Sequence, residues 1–205
     1  VTAAHCMVGQ DYNNYDVVVG QHNVQTDDSP ATRRYRIISY RPHPQFTETN
    51  YDYDIAILTT SQTIAFSDRV GPVCMPFKFA NADFTGAQLT ILGWGTLFPG
   101  GPVSPALRKV NVDVISQSSC RSTVSTLTNR QICTYTPGKT DACQGDSGGP
   151  RPRLYLRDSA TRGCCSAVGI VSFGASAEKG QPGVNTRVPA LLDWIVQNSP
   201  GANFC

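Results

Sequence analysis

The strongest constraint on this chain is its supply of short β-branched runs. "DVVVG" (Asp16 to Gly20), "RYRIIS" (Arg34 to Ser39), "DIAILT" (Asp54 to Thr59), "QLTILGWG" (Gln88 to Gly95), "VNVDVI" (Val110 to Ile115) and "AVGIVSFG" (Ala167 to Gly174) are bounded by Gly, Pro, Asn or Ser. Runs of this length and composition read as strands. Val110, Val112 and Val114 share one face, whereas other runs are apolar throughout and are expected to be buried on both faces. One segment has a helical period: Val188, Leu191, Leu192, Ile195 and Val196 fall on one side, and Pro189 suits a first turn. A helix is therefore expected over about 189–198. Many short strands with turn signals give an all-β chain of sandwiches or barrels. The proline-bearing stretch "GPVCMPFKFANADF" (Gly71 to Phe84) reads as a linker between two β lobes, one over about 1–76 and one over about 77–205.

Size and composition support a packed interior. A chain of 205 residues can bury roughly 70% of its unfolded surface. Charged residues are 16% and apolar residues 40%, which is ordinary for a globular domain. The net charge is +2, and the clusters Arg33, Arg34, Arg36 and Arg151, Arg153, Arg157 are small, so no nucleic-acid face is indicated. No apolar run approaches the about 18 residues of a membrane span. Eight cysteines without a repeated C-x-x-C spacing favour disulfides over zinc, and hence an oxidising, extracellular setting. The opening "VTAAHC", with no initiator Met, reads as a fragment or a processed product.

One stretch carries chemistry. In "QGDSGGP" (Gln144 to Pro150) an acid and a serine sit among three glycines. A serine hydroxyl becomes a nucleophile only when a base takes its proton and donors receive the oxyanion. Flanking glycines let the backbone turn sharply, and the N–H groups of Gly145 and Ser147 are candidate donors. The alternative is a surface loop, which has little need of this combination beside a cysteine. Three histidines compete for the base. His43 lies between prolines and reads as a turn residue, His22 reads as a loop residue, and His5 in "TAAHC" is the best placed. An acid is then needed to orient the imidazole. Asp54, heading an apolar strand, is the candidate and Asp52 its competitor, since a carboxylate there needs a partner.

"TAAHC", "DIAIL" and "GDSGGP", in that order, resemble the chymotrypsin/trypsin family of serine proteases. "GWG" (93–95), "VSFG" (171–174), "PGVNTRV" (182–188) and "DWI" (193–195) extend the resemblance over nearly the whole chain. It implies two antiparallel six-stranded Greek-key-type β-barrels, the first incomplete here, and a C-terminal α-helix. It implies His5 as general base and acid, Asp54 as its orienter, Ser147 as nucleophile, and an oxyanion hole at Gly145 and Ser147. Ser172 lies behind the triad. Asp141, six residues before Ser147, sits at the base of the primary pocket, with Gly174 and Gly183 as walls and Ala142 and Gln144 among the substrate-binding residues. A carboxylate in a deep slot favours Arg or Lys, with Arg able to pair bidentately. Ala142 lacks the hydroxyl that relatives often carry there, which leans the reading towards Arg.

The chain also departs from the family. The family's mature N-terminus lies upstream of the histidine motif, and its ammonium pairs with the acid preceding the nucleophile, here Asp146. Asp146 is thus the expected activation switch, and this polypeptide alone is expected to be inactive or zymogen-like. The resemblance implies a Cys120–Cys133 bridge, and a partner for Cys6 in the upstream segment. No cysteine stands near Ala177 to pair with Cys143, which leaves Cys143 free or paired with Cys164 or Cys165. Cys74 is open to an upstream light chain or to Cys205. Leu89 and Arg153 replace both halves of another common bridge. Asn185 stands where an aromatic residue is common, and Gln21 replaces an acid of the family's calcium loop, so no metal or other cofactor is expected. The basic run "PRPRLYLRDSATRGCC" (Pro150 to Cys165) has no evident purpose.

The reading is a secreted serine endopeptidase of trypsin-like specificity. Its expected partners are protein or peptide substrates with Arg or Lys, protease inhibitors and an upstream light chain. Neither nucleic acid nor membrane is expected as a partner. Digestion, venom, haemolymph defence and clotting-type cascades all fit, and "TYTPGK" hints at arthropod extracellular relatives. The competing reading is a catalytically silent homologue that acts as a binding or regulatory partner. An intracellular thiol protein is disfavoured by the expectation of few free thiols.

Overall fold

The computed structural model describes residues 1–26, 29–97, 100–137, 165–174 and 181–205, together with the backbone of 153–157. Its strands are β1 (Asp16–Val19), β2 (Arg33–Pro42), β3 (Ala56–Thr60), β4 (Gln88–Gly93), β5 (Arg108–Asp113), β6 (Gln131–Thr134), β7 (Arg153–Arg157), β8 (Cys165–Gly174) and β9 (Gly183–Arg187). Two short α-helices, α1 (Gln117–Arg121) and α2 (Leu192–Gln197), complete the described α-helical content. β1, β2 and β3 form one antiparallel sheet in that order. The second sheet runs β5-β4-β7-β8-β9-β6, and an antiparallel bridge between Val114 and Thr134 returns β6 to the end of β5. That return closes the second sheet into a barrel and removes its open edges.

Alternation along the strands explains which face goes inside. On β2, Tyr35 and Ile37 are buried while Arg34 and Arg36 are exposed. On β4, Leu89 and Ile91 are buried between Gln88 and Thr90, and they meet the Val110, Val112 and Val114 face of the β5 segment. The apolar run of β8 is buried on both faces because it lies between two cores. Val168 and Val171 join the second barrel with Leu89, Ile91, Val112 and Ile132. Ile170 points the other way, into a cluster with Ala3, Ile55, Val188, Leu191, Leu192 and Ile195. That cluster draws on both ends of the chain. Each large apolar side chain buried there is worth about 1.5–3 kcal/mol, so it binds the lobes more firmly than any one polar contact does. A pocket of about 520 Å³ lies against the first sheet, lined by Val17, Val19, Ile37, Leu58 and Ile64.

Several boundaries differ from the sequence reading. The C-terminal helix begins as a 3-10 turn over Val188–Leu191, with Pro189 in its first turn, before α2 takes over. α1, which the apolar pattern does not reveal, is started by Ser116, whose side chain accepts from the Ser119 N–H at 3.1 Å. β6 and β9 are short strands read earlier only as motif or background. β7 lies within the basic run after Pro150 and pairs with both β4 and β8, so part of that run is barrel wall.

Two disulfides tie these parts together. Cys120–Cys133 joins α1 to β6, and Cys74–Cys205 joins the interlobe linker to the C-terminus across 131 residues of sequence. Cys74 thus takes one of the two partners considered for it. Cys165, half-buried at the start of β8, is a thiol. The calls on Cys143 and Cys164 fall outside the described residues. Leu89, read in the sequence as replacing one half of a bridge common in the resembling family, is fully buried.

Because Cys74–Cys205 closes so long a loop, its removal releases much unfolded-state entropy. The paired substitution Cys74→Ala/Cys205→Ala is expected to cost about 2–5 kcal/mol, seen as a lower urea midpoint. An unchanged midpoint would show that the bridge does not constrain the unfolded chain.

Candidate active site

Small residues bring His5 to its place. Ala3 and Ala4 are fully buried, and Thr2 pairs with Ala56 through two backbone hydrogen bonds of 2.9 and 2.7 Å. The Ala4 carbonyl accepts from the Tyr40 hydroxyl at 2.7 Å. Burial pushes that phenol up to about 12, helped by the nearby charges of Asp54 and Cys6. Larger side chains at 3 and 4 would push this segment off β3. The N-terminal segment therefore lies against the head of β3, and a turn follows in which Ala4 accepts from the N–H groups of Met7 and Val8.

Asp54 is the anchor of the site. It has no exposed surface. Its Oδ1 accepts from the His5 backbone N–H at 2.9 Å, and its Oδ2 accepts from His5 Nδ1 at 2.6 Å and from the Ser172 hydroxyl at 2.5 Å. Its own carbonyl accepts from Thr186 Oγ1 at 2.7 Å. Ser172 can reach it because β8 carries a bulge there: Val171 faces Asn185 and Phe173 faces Val184, which leaves Ser172 as the extra residue. A bulge re-aims a side chain out of the ordinary alternation. A buried carboxylate needs such donors, since leaving it unpaired costs several kcal/mol.

The pair changes the imidazole. Burial alone would lower the His5 pKa; the hydrogen bond to Asp54, the Cys6 contact at 3.4 Å from Nε2, and the Asp54 charge outweigh it, so the net direction is well above the ordinary 6.5. With Nδ1–H held by Asp54, the neutral ring leaves Nε2 as the acceptor. Such an imidazole can take a proton at Nε2 and hold the resulting charge against a fixed carboxylate.

Asp52, the competitor for this role, points elsewhere. Arg130 grips it with two bonds, Nε to Oδ1 at 2.9 Å and Nη2 to Oδ2 at 2.5 Å, and Thr128 Oγ1 adds a third at 2.9 Å. Burial opposes its charge, but Arg130 and Thr128 prevail and hold the carboxyl below its ordinary range. Tyr51 and Tyr53, on either side of Asp52, have φ of 53° and 55°. Bulky residues in the left-handed region cost about 1–3 kcal/mol each. Tyr51 lies edge-on to His5 at 5.5 Å and against Phe173 at 5.1 Å. His43 opens a turn, its carbonyl accepting from the Phe46 N–H at 3.0 Å, and it is buried, stacked on Tyr53 at 4.3 Å and beside Trp194 at 4.9 Å.

The proposed pocket walls face each other. Gly174 pairs with Gly183 across β8 and β9. Gly174 has φ +151°, and a Cβ there would stand 2.8 Å from the Gly183 Cα. No side chain fits, so both strands present bare backbone. Asn185 is buried and donates to the Ile132 carbonyl at 3.3 Å and to Thr134 Oγ1 at 3.2 Å, so a polar anchor to β6 occupies that position. Asp141, Ala142, Gln144, Gly145, Asp146 and Ser147 lie outside the described residues. Among the described residues, His5, Asp54 and Ser172 come together, and no group of His, Cys, Asp or Glu is arranged to hold a metal ion. No described helix is long and apolar enough to cross a membrane. Sequence reasoning missed Thr186, Tyr51, Tyr40 and Arg130, whose roles arise from contacts between distant segments.

Comparison with known proteins gives a consistent picture. A family described as Trypsin matches residues 1–195. A venom serine protease of Polistes dominula is 38% identical over 211 residues, covering 100% of this chain and 74% of that protein. Venom serine protease 34 of Apis mellifera is 35% identical, covering 100% of this chain and 50% of its own length. The proclotting enzyme of Tachypleus tridentatus is 37% identical, covering 97% of this chain and 55% of its own length. The chain thus spans between half and three quarters of these relatives.

The raised His5 pKa has a signed consequence. Its contribution to stability is fully present below the unfolded value of about 6.5 and is lost as pH rises through the higher folded value. Histidine-selective NMR should show His5 titrating above His43, whose pKa is lowered by burial and by Arg130. Asp54→Asn should bring the His5 midpoint down. A midpoint unmoved by that substitution would break the coupling.

Proposed function

The chain belongs to the trypsin family of serine proteases, and from that membership we propose that it is a secreted endopeptidase that cuts after Arg, and less readily after Lys. The observation that carries the catalytic part is the His5 Nδ1 to Asp54 Oδ2 bond of 2.6 Å, made to a carboxylate with no exposed surface. Ser147, in "GDSGGP", is the nucleophile of this reading. His5 Nε2 takes its proton as the hydroxyl oxygen bonds to the scissile carbonyl carbon. The N–H groups of Gly145 and Ser147 receive the oxyanion. His5 then gives the proton to the departing amine, which leaves an acyl-enzyme. Water, deprotonated by the same nitrogen, attacks the ester and restores Ser147. Asp54 stays ionised throughout; it fixes the Nδ1–H tautomer and stabilises the imidazolium.

Specificity rests on Asp141 with the bare backbone of Gly174 and Gly183. A guanidinium admitted between two glycines would suit a carboxylate partner, with which it can pair bidentately. Secretion is supported by the two disulfides and by likeness to proteins named for venom and clotting, which are extracellular fluids. Protein substrates, protease inhibitors and an associated light chain follow as partners of such an enzyme.

The full-length protein should be labelled at Ser147 by a fluorophosphonate and should hydrolyse arginyl substrates in preference to phenylalanyl ones. Ser147→Ala should abolish both. Asp54→Asn should lower kcat by about 10⁴, the loss characteristic of this triad's archetype. Asp141→Ser should remove the preference for Arg while leaving fluorophosphonate labelling intact. Hydrolysis should rise with pH above neutrality, because the His5 base must be neutral and its pKa is raised. A folded protein that fails to label would favour the silent homologue.

A further inference from the structure

The loop that delivers Asp54 is held from the opposite lobe. Asn50 to Tyr53 precede β3, whereas Thr126 to Gln131 lead into β6 in the second barrel. Besides the ion pair between Asp52 and Arg130, Gln131 Nε2 donates to the carbonyls of Asn50 at 2.8 Å and Tyr51 at 3.3 Å. Gln131 Oε1 in turn accepts from the Thr128 N–H at 2.9 Å, and Gln131 is buried. The Arg130 guanidinium also lies over the Tyr53 ring, 4.2 Å from its centre.

We propose that Asp52 and Arg130 are positioning residues, whose ion pair across the two lobes holds the 50–53 loop so that Asp54 faces His5. The inference rests on the triad reading given above. Its argument is conformational. Asp52 sits between two tyrosines in the left-handed region, and Asp54 follows directly, spanned by a tight turn in which the Ile55 N–H donates to the Tyr53 carbonyl at 2.7 Å. Left to itself, either tyrosine would relax to negative φ. That relaxation rotates the next peptide plane and swings the Asp54 side chain away from Nδ1. Three features oppose it, and all involve Arg130 or its neighbours. The guanidinium fork fixes the orientation of the Asp52 carboxylate. Its flat face rests on Tyr53, and the Gln131 amide fixes the Asn50 and Tyr51 carbonyls, which belong to the peptide units on either side of the Tyr51 Cα. The charged or titratable groups facing the pair are the Tyr53 phenol beneath the guanidinium and, beyond it, His43. His5 itself faces Asp54 and Cys6, with the Tyr40 phenol nearby. The clamp therefore reaches His5 through Asp54 and through Tyr51, whose ring lies edge-on to the imidazole at 5.5 Å. It also makes the site depend on how the lobes meet, since neither partner of the ion pair belongs to the segment that carries the other.

The test uses the full-length protein with Arg130→Met, Arg130→Lys and Asp52→Asn. Arg130→Met is expected to lower kcat/KM about 10- to 100-fold, mostly in kcat, as a small displacement of a catalytic group does. It should also shift the His5 NMR titration midpoint downward and weaken the downfield Nδ1–H resonance. Arg130→Lys keeps the charge but loses the fork, so it should fall between Arg130→Met and the native protein. Asp52→Asn should behave like Arg130→Met. If Arg130→Met fails to fold, Arg130→Lys and Asp52→Asn decide the matter. A lower unfolding temperature with unchanged His5 titration and unchanged kcat in the folded protein would reduce the pair to a structural staple and overturn the proposal. If the native protein hydrolyses nothing, the protease reading fails separately, and the His5 titration of the variants alone decides the clamp.

Discussion

The structure depends on one buried charge. Asp54 has no contact with solvent, and a carboxylate in that position must be surrounded by donors or be neutralised. Its donors come from both halves of the chain. The His5 N–H and Nδ1 lie at the N-terminus, the Ser172 hydroxyl on β8 and the Thr186 hydroxyl on β9, the last bonded to its carbonyl. No single lobe could satisfy this residue. Assembling the lobes and assembling the site are therefore the same event. The apolar cluster of Ala3, Ile55, Ile170, Val188, Leu191, Leu192 and Ile195 supplies the driving force for that event, and it lies at the same junction.

This dependence explains how much could be read from the sequence. Strands with a clear alternation or a strong β-branched run, such as β2, β4, β5 and β8, were legible because their signal is local. β6 is four residues long and buried along its whole length, so it has no alternation to detect. β7 is masked by its charges, and α1 is too short for a helical period. His5 and Asp54 were legible because their neighbours form recognisable motifs. The choice between Asp54 and Asp52 was not settled by local rules, since both head the same apolar strand. Contacts 78 residues away settle it, by giving Asp52 a guanidinium of its own. His43 does open the turn that its flanking prolines announce, but its burial against Tyr53 and Trp194 arises from contacts that no local signal carries.

The departures from the family pattern follow similar logic. Leu89, read as standing in for one half of a family bridge, packs in the second barrel's core with Ile91, Val112 and Val168. Asn185, where the family resemblance leads one to expect an aromatic residue, anchors β9 to β6 through its amide. The Cys74–Cys205 bridge fastens the linker to the end of the chain, just beyond α2.

The tyrosines beside Asp52 give the sharpest view of this design. Local preference alone would not choose φ of 53° and 55° for two large aromatic residues. Both are held by partners that the junction supplies: Tyr51 by Phe173 and the edge of His5, Tyr53 by His43 on one side and Arg130 on the other. A strained backbone persists only when its surroundings over-determine it. Here the surroundings come from both lobes, His5 and His43 from the first and Phe173 and Arg130 from the second. The strain is thus relieved by any separation of the lobes, and the same separation would strip Asp54 of Ser172 and Thr186. Conformational cost and buried charge point to one remedy, close lobe contact, and that contact is what sets His5 in place.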